Sequence, residues 1–170
     1  MSLPALTPDE EQLREWLLHT ADQDGYAAVE VAGDADGAPY AFTVGVWRRF
    51  AAPEAVVVGL PVDMARPLLD LYVRRTAEGE RFYPGLPYLD FFEGTPVVVE
   101  RVHKGHYPEF FGSAFLVYPQ GDFPAMQLIV ATPDGRFPWS PDAPDGFDIW
   151  QPVLTYTGRP ETWRPGIDGP

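Results

Sequence analysis

Four titratable side chains recur at intervals of three in one short stretch: Glu100, His103, His106 and Glu109. His-x-x-His flanked by carboxylates has the ligand types for zinc or another divalent ion. The backbone around it argues otherwise. Residues 97 to 102 read as a strand, Gly105 and Pro108 interrupt any helix, and a strand sends His103 and His106 to opposite faces. The reading is therefore ordinary surface histidines and no metal. His106 keeps a second interest. An imidazole titrating near ~6.5 beside Tyr107 suits a general acid or base, with Tyr107 or Asp134 orienting it. The bland alternative has His106 bonded to backbone, fixing the turn into the next element.

A second group has the chemistry of recognition. Pro133-Asp134-Gly135 is a turn signal followed by Arg136, Phe137 and Trp139. Arg136 suits a carboxylate or phosphate, and the two rings suit stacking on an apolar ligand; equally, the rings serve to cap one end of the core. Gln127 stands inside an otherwise apolar run, so its amide must be hydrogen-bonded, either to a loop backbone or to a ligand, and Gln151 suits the same task. Asp142, Asp145 and Asp148, like Asp34 and Asp36 before Gly37, lack the ligand spacing of a calcium loop and read as solvated turns. Thr43, Ser113 and Ser140 stand in no nucleophile elbow, and the chain contains neither a phosphate loop nor a Gly-x-Gly-x-x-Gly turn.

The elements that must position these residues are legible from periodicity. Thr7-Pro8-Asp9-Glu10 is a helix start with a hydroxyl cap, and Leu13, Trp16, Leu17, Thr20 and Ala21 form its inward stripe. Tyr26 to Val31 and Tyr40 to Trp47 predict a hairpin around the 33–37 turn. The run Ala55 to Leu60 has no polar alternation and predicts a central strand covered on both faces. Asp63 is positioned to cap a second helix, with Ala65, Leu68, Leu69, Tyr72 and Thr76 inward and Pro67 tolerated in its first turn. The segment 82–92 reads as a loop. Thr95 to Val102, Ala114 to Tyr118 and Met126 to Ala131 read as strands, Tyr107 to Phe111 as a helical turn, and 151–155 as a short extended piece. Strands outnumber helices without βαβα alternation, so the fold class is α+β: a single domain over 1–158 with a mostly antiparallel bent sheet or partly open barrel flanked by two main helices, then a Pro-rich tail over 159–170.

The 170 residues carry 25 acids against 12 bases, a formal net charge of −13. Such a surface repels phosphate backbones and anionic headgroups, so nucleic acid and membrane are not expected partners. With no cysteine, a thiolate nucleophile, an iron–sulfur cluster, Cys-ligated zinc and a disulfide framework are all excluded. Eleven arginines against a single lysine, Lys104, point to a high-GC bacterial genome. Met1-Ser2-Leu3-Pro4 leads into acids where a secretory signal needs a basic and then an apolar region, and no apolar run approaches ~20 residues, so the expected compartment is the cytoplasm.

Several segments then combine. Tyr40-Ala-Phe-Thr-Val-Gly45, Pro53-Glu54-Ala-Val-Val-Val-Gly59-Leu60-Pro61, His106-Tyr107 ahead of Gly112-Ser113-Ala114, Phe123-Pro-Ala-Met-Gln127-Leu-Ile-Val, Pro133-Asp134-Gly135-Arg136-Phe137-Pro138-Trp139 and Gln151-Pro152-Val-Leu154 together resemble the bacterial domain-of-unknown-function family 4262 (DUF4262), over roughly residues 10 to 155. The chain departs from the pattern at Ala52, where a His is expected, and at Thr132, where an aromatic is expected. The resemblance implies a fold unit and attaches no activity to it.

Two functions follow from the residues. The first is a non-catalytic module, accessory or immunity-type, that holds a small-molecule ligand or a protein partner against an aromatic surface, with Gln127, Arg136, Phe137, Trp139 and Gln151 as binding candidates. The alternative is a small pocket enzyme acting on an organic metabolite, with His106 as acid/base, Tyr107 or Asp134 orienting it and Arg136 holding an anionic group. No residue pattern names a cofactor.

Overall fold

The Thr7 hydroxyl accepts from the Glu10 N–H while the Glu10 carboxylate accepts from the Thr7 N–H, a closed capping box that starts α1 (Pro8–Asp24) where the sequence predicts it. The computed structural model describes residues 5–161; the leader reading of residues 1–4 and the tail from 162 onward fall outside them. After α1 come β1 (Ala27–Val31), β2 (Tyr40–Val44), α2 (Val46–Phe50), β3 (Glu54–Val58), α3 (Val62–Ala77), β4 (Pro87–Phe92), β5 (Thr95–Arg101), a 3₁₀ turn (Lys104–His106), α4 (Tyr107–Phe110), a second 3₁₀ turn (Gly112–Leu116), β6 (Ala125–Val130) and α5 (Phe147–Trp150).

The strands form one open six-stranded sheet in the order β1-β2-β3-β6-β5-β4, not closed into a barrel. Every neighbouring pair is antiparallel except the central one, β3 with β6, which is parallel. The fold is thus α+β, as the element pattern predicts. Strand alternation sends Ala41, Ala55, Val57, Val97, Val99, Leu128 and Val130 to one face, where Ala65, Leu68, Leu69 and Tyr72 of α3 cover them. Phe42, Val44, Val56, Val58 and Ala125 face the other way, onto Leu17 of α1, Tyr107, Phe110, Phe111, Phe123 and Leu154. All five residues of β3 are buried, as its uninterrupted apolar run requires.

Local departures have identifiable causes. The expected strand over 40–47 stops at Val44 because Gly45 turns at φ +114°, where a Cβ would stand 2.7 Å from that of Ala21; residues 46–50 then coil into α2. Only Leu17 and Ala21 of the expected α1 stripe are buried, while Trp16 is 50% exposed: α1 lies at the margin of the sheet against β1 and the Gly112–Leu116 turn. The stripe of α3 is buried throughout, but Pro61 takes the cap position, so Asp63 lies in the first turn and makes no cap bond. Pro67 stands beyond the first turn, on the exposed side, where water can satisfy the carbonyl its missing N–H leaves free. The supposed loop over 82–92 contains β4, an edge strand that begins at a proline, where a missing N–H is least costly. The expected strand over 114–118 is a 3₁₀ turn, since Phe111 and Ala114 must both reach the second core.

The Glu54 carboxylate, wholly buried at the start of β3, ties four segments together. One oxygen accepts from the Thr43 hydroxyl at 2.7 Å and the Val46 N–H at 3.2 Å. The other accepts from the Gly45 N–H at 3.0 Å, the Trp47 N–H at 3.1 Å and the Tyr118 hydroxyl at 2.6 Å. Burial pushes this carboxyl up while the Tyr118 and Thr43 hydroxyls and the backbone N–H groups pull it down. The three N–H groups can only donate, so the site is built for an acceptor. Glu54→Gln, which turns an NH2 toward those donors, is expected to destabilise the fold by roughly 2–3 kcal/mol, read as a lower urea midpoint at unchanged slope; a midpoint equal to the wild type's contradicts this role.

Candidate functional site

The parallel ladder between β3 and β6 is short, running from Glu54 opposite Ala125 to Val56 opposite Gln127. Beyond Gln127 the strands part, and Val130 turns both its N–H and its C=O toward the gap. The side chain of Gln151 fills that vacancy: its Oε1 accepts from the Val130 N–H at 3.0 Å and its amide donates to the Val130 carbonyl at 2.8 Å. Gln127 works the same way one step back, donating to the Pro152 carbonyl at 2.7 Å and accepting from the Leu154 N–H at 2.8 Å. The Leu154 carbonyl in turn accepts from the His103 N–H at 2.8 Å. Residues 151–154 are thereby strapped across the sheet, and both glutamines are spent on backbone, one of the two fates their amides allow.

The strap brings α5 against the end of β3. The Trp150 indole N–H donates to the Gly59 carbonyl at 2.8 Å, and any Cβ on Gly59, at φ +84°, would lie 2.6 Å from the Trp150 carbonyl oxygen. Between these pieces lies a cavity of about 440 Å³ at the carboxyl ends of β3 and β6. Leu60, Met64, Phe92, Val130, Ala131 and Phe147 supply its apolar wall, and Glu93, Thr95, Thr132 and Gln151 its polar side chains. The location has a structural reason. The paired register of β3 and β6 ends at Val56 and Gln127, and the segment that follows β6 returns to the end of β3, where Trp150 meets Gly59 and Gln151 meets Val130, so the cavity is bounded by both strands and by this return. Its size lies within the range of small-molecule sites. A second depression of about 400 Å³ between the 31–38 hairpin and α4 is lined by Asp34, Asp36 and Glu109 beside Tyr40 and Phe110.

The sequence-nominated residues distribute over both ends of the sheet. His106 is half-buried in the 3₁₀ turn, its N–H donating to the His103 carbonyl at 2.9 Å and its ring edge-on to Phe110. Tyr107 is buried, stacked on Phe123 at 4.7 Å, and donates to the Phe123 carbonyl at 2.9 Å; burial pushes its hydroxyl up to about 12. Both belong to the turn that leaves β5 beside the first residue of β6, where the Val102 N–H donates to the Ala125 carbonyl. Asp134 and Arg136 follow the last residue of that six-residue strand, roughly 20 Å further on at ~3.3 Å per residue. Thus His106 and Tyr107 are not brought together with Asp134 and Arg136.

Around the 132–142 turn, the Thr132 hydroxyl and the Arg136 guanidinium hold the Asp134 carboxyl below the usual range. Arg136 pairs with Asp134 at 3.1 Å and Asp142 at 3.6 Å and donates to the Asp142 carbonyl. Phe137 and Trp139 stack nearly parallel at 4.8 Å, both half-buried. Gln151 lines the cavity directly, and Thr132 and Pro133 join this turn to it. Among the described residues no three His, Asp or Glu side chains converge as a metal would require.

Two carboxylates matter as buried groups, a role the motif reading gives to neither. Glu54 opens an apolar central strand and Glu100 follows three valines; in both places an acid interrupts a run that must be buried, which is the signal that finds them. Glu100 lies opposite Gln127 in the β5–β6 register, is 1% exposed, and has no partner for its Oε1 among the described residues. Burial is the main cause that pushes its carboxyl up to about 7; a hydrogen bond from the Glu161 backbone opposes this and the Glu161 charge adds to it.

In the unfolded chain Glu100 ionises near its ordinary 4.5, so between there and about 7 the folded protein retains a proton the unfolded one has released. Stability contributed by the neutral form is fully present below 4.5 and is lost as pH rises through 7. Glu100→Gln, compared with wild type by urea unfolding, is expected to gain about 1–2 kcal/mol between pH 4.5 and 8 after allowance for solvent screening. A difference that stays constant with pH contradicts the assignment.

Compared with known proteins, the chain matches the family described as Domain of unknown function (DUF4262) over residues 20–144. No curated protein and no solved structure matches it.

Proposed function

The chain belongs to the DUF4262 family, and from that premise we propose that it is a non-catalytic binding module that takes a small, largely apolar ligand into the cavity at the carboxyl ends of β3 and β6. The observation that carries this reading is the cavity itself: about 440 Å³, apolar-walled, and bordered by Gln151, whose side-chain amide is spent on the backbone of Val130. A gap between diverging strands is ordinarily closed by side chains that meet across it. Here Gln151 satisfies the backbone and leaves the apolar walls of Leu60, Met64, Phe92 and Phe147 apart.

Burying an apolar ligand against such walls contributes about 25 cal/mol per Å2 of surface removed from water, so a ligand of modest size needs few directed contacts to be held. The aromatic stretch around the 132–142 turn fits the same reading as the cavity's rim. Its arginine is neutralised by Asp134 and Asp142 and its rings are stacked on each other, which makes a firm wall. The pocket-enzyme alternative has no comparable observation behind it, with His106 and Asp134 at opposite ends of β6.

The neutral fluorescent probe N-phenyl-1-naphthylamine tests this directly. Its emission is expected to rise saturably with the wild type, and Met64→Lys, which sets an ammonium at the cavity mouth on a side chain already 39% exposed, is expected to weaken binding about fivefold or more. Trp16→Lys, on the far side of the molecule, is expected to leave binding unchanged. Equal loss in both variants would mean diffuse surface binding and would overturn the proposal.

A further inference from the structure

The polar groups around the cavity are unequally occupied. The Gln151 amide is committed on both sides to Val130. The Thr132 hydroxyl donates to Asp134 and accepts from the Arg136 N–H. Arg66, two residues beyond Met64, pairs with Glu30 and Asp70, and Arg136, three beyond Pro133, is held between Asp134 and Asp142. What faces the cavity with capacity to spare is the uncharged Thr95 hydroxyl and, carrying the charge, Glu93. It sits with Gly94 in the turn between β4 and β5, is exposed, is the one charged residue in the lining, and has no hydrogen bond or ion pair among the described residues. The mouth of an apolar cavity therefore offers an open acceptor with a negative charge and no free cationic donor.

We infer that the ligand of this cavity is a cationic amphiphile: an apolar body lodged between Leu60, Met64, Phe92 and Phe147, and a protonated amine placed over the Glu93 carboxylate. The inference rests on the cavity being a binding site, and it adds the sign of the ligand's head. An anionic head entering here would meet Glu93 with no cationic side chain in the lining to offset the repulsion. An ammonium gains an ion pair at the rim while its chain is buried, and the negative field of the whole molecule, at net charge −13, favours its approach. Because Glu93 is solvated, the discrimination is modest and sensitive to salt.

The test is displacement of N-phenyl-1-naphthylamine by decylamine, decanol and decanoate below their aggregation limits, at low ionic strength. Decylamine is expected to compete at concentrations about three- to tenfold below decanoate, with decanol between them; the gap should narrow in 0.5 M salt and shrink in Glu93→Gln. If decanoate competes as well as decylamine, the choice of a cationic head is wrong, and if the gap is undiminished in Glu93→Gln, Glu93 is not the partner of that head; either result overturns the inference although the cavity still binds the neutral probe. If the probe itself does not bind the wild type, the cavity reading fails and this inference falls with it.

Discussion

Taking the Glu54 carboxylate out of water is tolerable only because five donors converge on it, and meeting that requirement fixes how four segments end. Gly45 must turn at positive φ so that three successive N–H groups point at one side chain, which ends β2 and starts α2. Thr43 serves twice, donating to Glu54 and accepting from the Ala55 N–H, so it locks β2 to β3. Tyr118 reaches in from beyond the second 3₁₀ turn and carries the 107–118 segment onto the sheet. One buried charge thus organises the amino-terminal end of the central strand.

The opposite end of the same strand is organised by neutral amides. With β3 fixed below, β6 pairs with it in parallel for a short distance and then diverges, so that Val130, paired with Val97 of β5 on one side, has no strand partner on the other. Gln151 substitutes for that strand and Gln127 holds the segment that carries it. The consequence is a cavity beside the carboxyl ends of the two strands. Glu100 lies opposite Gln127 in the sheet, buried and with no partner for its Oε1 among the described residues.

How much of this is legible in the sequence differs by element. Where burial imposes a period, as in the α3 stripe or the uninterrupted run of β3, residue type alone places the element and its face. The capping box at Thr7 is equally readable because all its partners lie within three residues. The end of β2 is not, since α2 exists through an acid downstream in the chain that donates nothing to local propensity. The strand expected over 114–118 fails for a related reason: its apolar residues are set by what Phe111, Ala114 and Tyr118 each reach across the fold. For the site, Gln127 and Gln151 are conspicuous as amides among apolar neighbours, whereas the cavity is made by a strand divergence that no pattern encodes. The sequence offers His106 and Asp134 as one constellation, and the register of β6 places them at its two ends.

The central claim is that the carboxyl ends of β3 and β6 form a binding site, and a two-dimensional amide NMR titration with N-phenyl-1-naphthylamine tests it most directly. The account predicts saturable shifts gathered at Leu60, Met64, Phe92, Ala131 and Phe147, with the amides of Lys104 to Phe110 unmoved. Shifts centred on His106 and Tyr107, or scattered without saturating, would contradict it.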